Sequence, residues 1–340
     1  MKKDGYAVEH DFTNENGMMV FKGKVDGPVI ASFGVKPVNV ATAVASASRT
    51  MRTPADFVLT NSVITISGEV DKLGQAKIDG GKFNTEYRIE KANLAKLADA
   101  ERAKAKALAA KGDSTALRRL DVPNAALLMN EPFRLLYIET YPNALLSMLY
   151  LYTLSGAMDL NALKTLYSKM GDTHKDGLYA GIVKEKMTVM ERTAAGKQAV
   201  EIDKVDLQGN AVNLASLKGK YVLVDFWGSW CHPCRASHPH LKALYSKYKS
   251  SGFEILGIAH ETKPTLEAAK EAWKKAIKED GMDWIQVLNN EGIEKSDAVK
   301  AYAVSVYPTK ILLDKEGKVI GRYIGESKEI DDALNKVFGF

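Results

Sequence analysis

Cys231 and Cys234 are the only cysteines among 340 residues, and two cysteines three apart at a strand-to-helix switch are redox chemistry before anything else. Upstream, Tyr221-Val222-Leu223-Val224-Asp225-Phe226-Trp227 is an apolar run rich in β-branched and aromatic residues, the pattern of a strand buried on both faces. Gly228 and Ser229 end it, Pro233 suits the first turn of a helix, and Leu241, Leu244, Tyr245 and Tyr248 continue at helical spacing. Cys231 is thereby placed at a helix N-terminus, where unpaired N–H groups and the positive end of the dipole favour a thiolate over a thiol. A nucleophilic Cys231 and a resolving Cys234 follow. His232, when protonated, further favours the Cys231 thiolate and makes the couple more oxidising.

Asp225 interrupts the strand that should be most buried, where an unpaired carboxylate is costly and its protonated form is favoured. A carboxyl of that kind beneath a dithiol can take the proton of the resolving cysteine, directly or through a water. The alternative is that Asp225 faces a cavity or caps a nearby backbone group. Zinc is a rival chemistry for the cysteines, with His238 and His240 completing the ligand set. A helix starting near Pro233 leaves His240 about two turns away, and Pro239 after His238 suits packing better than coordination, so no metal is expected.

The run Val224-Asp225-Phe226-Trp227-x-x-Trp230-Cys231-x-x-Cys234-Arg235 closely resembles the active-site segment of the thioredoxin superfamily, and its flanks resemble the envelope-facing TlpA/ResA-like branch. The likeness covers residues 196–340. It implies that Cys231 attacks, Cys234 resolves and Asp225 assists proton transfer. Val306-Tyr307-Pro308-Thr309 looks like the cis-proline segment that faces the pair, which adds Pro308 to the catalytic set. Beside Pro308 the backbone of Tyr307 is then open to an incoming chain by strand addition, and Trp230, His232, Pro233, Tyr307 and Thr309 are the expected client contacts. The resemblance further implies a thiol-disulfide oxidoreductase acting as a reductase, with no cofactor beyond the Cys231–Cys234 disulfide. Its partners would be protein thiols and disulfides and an upstream thiol or membrane electron donor. Two departures bear on the redox potential: His-Pro between the cysteines, and Ser237 where ResA-like members often carry glutamate. A peroxidase of the related peroxiredoxin kind is an alternative, although that family places threonine where Cys231 stands. The other alternative is a non-catalytic envelope adaptor, against which intact Asp225, Trp230 and Pro308 speak.

The surrounding chain has 46% hydrophobic and 26% charged residues, the composition of a soluble globular protein with ample core and of a length for two or three domains. A net charge of +5 with lysines interleaved among acids reads as solvation, not nucleic-acid binding. The most apolar stretch, Ala125 to Leu154, is broken by Glu131, Pro132, Arg134, Glu139 and Pro142, so packed helices are expected there and no membrane span. Met1-Lys2-Lys3 is basic without a hydrophobic run after it, so no signal peptide is read. That leaves a cytosolic protein or one whose leader has been replaced. The resemblance tips the expectation to the periplasm or cell envelope, with a leader or lipid tether outside this sequence.

Three parts are expected: a small β-sandwich over 1–90, a helical segment over 91–195 and a thioredoxin-like α/β domain over 196–340, its central mixed sheet flanked by helices. The whole is a multidomain α+β chain. The first rests on short runs at Met18 to Phe21, Val29 to Phe33, Val63 to Ser67 and Lys82 to Ile89, and weakly resembles the domain of unknown function that precedes thioredoxin modules in Gram-negative envelope proteins. A helix from Lys91 to about Lys111 should end at Gly112. Others are expected over Ala144–Leu154, Leu160–Met170 with Asp159 as cap, and Gly177–Thr193, with His174 in a solvated turn. Asp206 to Asn210 reads as a turn between two short strands. Strands are expected over Phe253–Ala259, Trp284–Leu288, Lys310–Leu313 and Val319–Tyr323, and helices over Thr265–Asp280 and Glu329–Phe338.

Overall fold

The computed structural model describes residues 13–15, 18–20, 24–25, 27–33, 55–112, 130–325 and 328–339; Met1 to Lys3, Phe21 and Ala125 lie outside them. The chain divides into two compact units, residues 1–150 with 169–181 and residues 151–168 with 182–340.

In the first unit the strands form three antiparallel two-stranded ladders: β1 (Thr13–Glu15) with β2 (Met18–Val20), β3 (Val29–Phe33) with β4 (Ala55–Leu59), and β5 (Thr65–Ser67) with β6 (Lys77–Asp79). Among the described residues the three ladders are not joined edge to edge into a larger sheet. The strand expected at Lys82–Ile89 is instead the start of α1 (Gly81–Ala109). Helical periodicity prevails there: Asn84, Tyr87, Glu90, Leu94 and Ala98 are all buried at spacings of three or four. The Asn84 amide also pins the helix to β4, accepting from Val58 N at 2.8 Å and donating to Val58 O at 2.9 Å. Gly112 follows the last turn at φ 100°, a conformation glycine adopts without penalty.

Next come α2 (Glu131–Thr140), α3 (Leu145–Leu154), α4 (Leu160–Lys169) and α5 (Leu178–Arg192), the division between the units passing through α3, the end of α4 and α5. Asp159 caps α4, accepting from Ala162 N at 2.9 Å. The first N–H groups of α3 find an acceptor far away in sequence, the Glu90 carboxylate, at 2.8 Å from Leu145 N and 3.0 Å from Leu146 N. His174 is buried with its ring 6.3 Å from that of Phe83 on α1, which corrects the expectation of a solvated turn.

The second unit carries the hairpin β7 (Asp203–Val205) and β8 (Ala211–Asn213), its turn closed by Asp206 Oδ1 accepting from Gln208 N and Asn210 N. Then follow β9 (Tyr221–Trp227), α6 (His232–Tyr248), β10 (Phe253–Ala259), α7 (Leu266–Asp280), β11 (Ile285–Leu288), α8 (Ala298–Ala301), β12 (Thr309–Leu313), β13 (Val319–Ile324) and α9 (Glu329–Phe338). One five-stranded sheet results, in the order β11-β10-β9-β12-β13. β9 lies at its centre, parallel to β10 and antiparallel to β12.

Side-chain alternation along β9 sorts its residues between two cores. Val222, Val224 and Phe226 join Ile258, Ile311 and Tyr302 on one face. Leu223 and Trp227 join Leu241, Tyr245 and Trp273 beneath α6 and α7 on the other. Asp225 shares the parity of Leu223 and Trp227, so it faces the layer that also carries both cysteines.

Candidate active site

Gly228 to Trp230 turn the chain from β9 into α6, and Cys231 is the N-cap of that helix. Its Sγ accepts from Cys234 N at 3.2 Å, and Pro233 occupies the first turn. The two sulfurs are joined as a disulfide, with Cys231 4% and Cys234 1% exposed. When the bond is reduced, the same N–H and the helix dipole stabilise negative charge on Cys231, while Cys234 sits deeper. His232 and Pro233 are exposed beside the pair. Ser237 donates its hydroxyl to Cys234 O at 2.8 Å.

Asp225 is not alone. Its Oδ1 lies 3.6 Å from Lys310 Nζ, both side chains being 2% exposed. Antiparallel register sets Lys310 of β12 directly opposite Asp225 of β9, so alternation delivers both to the same face. Neither atom has a hydrogen bond among the described residues, which leaves a buried ion pair in an apolar layer. Sequence reading treated Lys310 only as the start of a strand. The signal was available: a lysine in a strand buried on both faces needs an acid, and Asp225 is the acid on the neighbouring strand.

The turn before Cys231 is held by residues the sequence reading passed over. Both oxygens of the buried Glu261 carboxylate accept from Ser229, one from N and one from Oγ, each at 2.7 Å. Asn290 fixes Glu261 in turn, accepting from Glu261 N at 2.8 Å and donating to its carbonyl at 2.9 Å. Trp230, 45% exposed, donates its indole N–H to His260 O at 2.9 Å. Its ring stands 5.4 Å from that of Tyr307, and the His260 ring stacks 6.5 Å from Tyr307. Burial holds the His260 imidazole below the ordinary histidine range and pushes the Tyr307 phenol up.

The Tyr307–Pro308 peptide is cis, as expected. The ladder between β12 and β9 starts at Thr309, so the main chain of Val306 and Tyr307 lies beyond it. Thr309 is buried and donates its hydroxyl to Val306 O at 2.7 Å, which makes it a brace for this loop; Trp230, His232, Pro233 and Tyr307 border the surface beside the disulfide. The other histidines considered for zinc are engaged elsewhere. His238 Nδ1 meets Asp280 Oδ2 at 2.7 Å, and His240 Nε2 meets Asp331 at 2.9 Å. Burial works against ionisation of Asp280, yet the bonds from Arg235 and His238 prevail and hold it below the usual carboxylate range.

Comparison with known proteins gives the family. The Redoxin family model matches residues 194–337. The thiol-disulfide oxidoreductase ResA of Bacillus cereus is 33% identical over 178 residues, which span 52% of this chain and 92% of that protein. The chain belongs to the ResA-like thiol-disulfide oxidoreductases. ResA of Bacillus subtilis is 30% identical over 177 residues, 52% of this chain and 89% of its own. A crystal structure of the thioredoxin domain of a thiol-disulfide oxidoreductase from Bacteroides vulgatus is 38% identical, covering 43% of this chain and 97% of that one, with a TM-score of 0.37. ResA-like enzymes exchange electrons with thiols and disulfides through their own cysteine pair, here Cys231 and Cys234.

Proposed function

We propose that the protein is a reductase of protein disulfides in which Cys231 attacks and Cys234 resolves. The carrying observation is the placement of Cys231 at the N-cap of α6, its sulfur accepting the Cys234 N–H. In the reduced protein the Cys231 thiolate attacks one sulfur of a client disulfide, and the other client sulfur leaves as a thiolate. Cys234 gives its proton to Asp225, whose carboxylate is held in place by Lys310, and attacks Cys231. The second client sulfur departs, leaving the client with two electrons and the enzyme with its disulfide. An upstream thiol then restores the dithiol.

The reductive direction is supported by Glu261. A buried carboxylate on Ser229, two residues before Cys231, opposes negative charge on that sulfur and so disfavours an oxidising couple. Client docking is assigned to the main chain of Val306 and Tyr307, which lies beyond the ladder and is flanked by Trp230. We assign the protein to the periplasm or cell envelope on its resemblance to the envelope-facing branch. Among the described residues no helix is long and apolar enough to cross a membrane.

Trapping tests the order of the cysteines. A Cys234→Ser variant should accumulate mixed disulfides with client proteins on non-reducing gels. If it traps nothing while the wild type remains active, Cys231 is not the attacking residue.

A further inference from the structure

The loop that leads to Pro308 is contacted from the helices that precede the thioredoxin-like part. Lys186 of α5 donates its ammonium to the hydroxyl of Ser305. Gly156, after α3, lies against the same loop so closely that a Cβ there would be 2.7 Å from Val306 Cγ2 and 2.9 Å from Ser305 Oγ. From the sheet side Arg322 of β13 donates to Tyr302 O at 2.6 Å and Ala303 O at 3.1 Å, holding a turn in which Ala303 adopts φ 49°. The loop is thus fixed from two sides, each time by a cation.

These cations lack a counter-charge. Among the described residues no carboxylate lies within ion-pair distance of Lys186 or Arg322. The guanidinium has its two carbonyls, and the ammonium has a neutral hydroxyl. Burial, reinforced by Arg322, draws Lys186 down to about 8, which leaves it mostly charged at pH 7. Ser305 is exposed and the Lys186–Ser305 bond lies at the surface, so the ammonium can be reached from solvent. A half-buried cation without a counter-charge, bonded to the residue that precedes the backbone assigned to client docking, has no structural need that a neutral side chain would not meet.

We propose that Lys186 is a client-selecting subsite that takes a carboxylate of the incoming polypeptide, an Asp or Glu two or three residues from its reactive cysteine. This rests on the docking of clients at Val306 and Tyr307. An extended chain advances about 3.3 Å per residue, so a client residue two or three positions from the one opposite Tyr307 comes level with Ser305 and Lys186. Trp230, Tyr307, Val306, Ser305 and Lys186 then form one track, apolar at the disulfide and cationic at its far end, with Arg322 adding positive potential beneath it.

The experiment is single-turnover reduction of synthetic peptides by the pre-reduced full-length chain. Each peptide carries one cysteine as its mixed disulfide with 2-mercaptoethanol, and Glu or Gln two or three residues to either side. Two electrons pass from Cys231 and Cys234 to the peptide disulfide, releasing peptide thiol and 2-mercaptoethanol. On the favoured side the Glu peptide should react about five-fold faster or more, as for a partly buried charge-assisted pair. Lys186→Gln should abolish that preference while leaving the Gln peptide within about two-fold, and Lys186→Arg should keep it. Equal rates for Glu and Gln peptides in the wild type would overturn the subsite while leaving client docking intact. Equal losses on both peptides in Lys186→Gln, with Lys186→Arg restoring both, would make Lys186 a brace for Ser305 and nothing more. If no peptide reacts faster than bis(2-hydroxyethyl) disulfide alone, docking at Val306 and Tyr307 is itself wrong and the subsite falls with it.

Discussion

Lys310→Met should unbalance the buried pair in a measurable way. At 3.6 Å two unit charges attract by about 4–5 kcal/mol at an effective dielectric constant of about 20. Removing one partner of a buried pair typically costs about 3–5 kcal/mol, because the other charge is left uncompensated. The stranded carboxylate has one escape, which is to take a proton. For an aspartate that titrates near 3.9 when unfolded, protonation costs about 4 kcal/mol at pH 7 and about 1.4 kcal/mol less for each unit the pH is lowered. The variant should therefore lose about 3–4 kcal/mol at pH 7 and only about 1–2 kcal/mol at pH 5. The sign follows from linkage: the variant's folded state holds a proton that its unfolded state has released, so its deficit grows as pH rises. Adding Asp225→Asn removes the stranded charge and should restore about 2–3 kcal/mol at pH 7. All four tryptophans, Trp227, Trp230, Trp273 and Trp284, lie in the second unit, so denaturant unfolding followed by their fluorescence reports the relevant part of the chain. If the single and double variants lose the same stability at pH 7, or the single variant's deficit does not change with pH, Asp225 and Lys310 do not interact as argued here.

Two further outcomes follow from the site. Glu261→Gln removes the negative charge bound to Ser229 and should stabilise the Cys231 thiolate, moving the reduction potential about 30 mV toward the oxidising side, a tenfold change for a two-electron couple; equilibration against glutathione buffers measures it, and an unchanged potential would show that Glu261 only holds the turn. Burial depresses His260 against the opposing pull of Asp297 and Glu261, while the unfolded chain takes up that proton near pH 6.5. Stability is therefore full above that pH and is lost as pH falls through it. Tryptophan-monitored unfolding between pH 7 and 5 should fall less steeply in His260→Gln than in the wild type, and parallel slopes would mean that His260 titrates alike in both states.

The parts of this protein that were legible in sequence are those decided locally. The run into Trp227, the breakers Gly228 and Ser229 and the proline after Cys231 define a strand, a turn and a helix start, so the dithiol could be placed on a helix N-cap without coordinates. Asp159 before α4 and the Asp206 turn were readable for the same reason. What failed was decided at a distance. Lys82–Ile89 carries strand-like residues, but its fate is set by Asn84 gripping Val58 and by the burial of Tyr87 and Leu94. His174 sits in a turn and is buried by Phe83, 91 positions earlier. Lys310 and Glu261 escaped attention because each is intelligible only beside a residue on another element, Asp225 in one case and Ser229 in the other.

The polar residues of the site also show how such chemistry is lodged in a sheet. Asp225, Lys310 and Gln286 fall on one face of three different strands, the face that β9 shares with Trp227. Gln286 accepts from the Trp227 indole at 3.1 Å, and it can do so only because Gly257, the residue of β10 opposite Asp225, has no side chain. A Cβ there would lie 2.3 Å from the Gln286 oxygen. An apolar set of the same volume would give that layer greater stability than an ion pair and a carboxamide. On the proposed mechanism it would also remove the carboxylate assigned to take the proton of Cys234, 1% exposed, and a buried thiol that cannot lose its proton cannot resolve a mixed disulfide. On that mechanism the stability given up in this layer is tied to one step, the second displacement, for which Asp225 is the proposed proton acceptor.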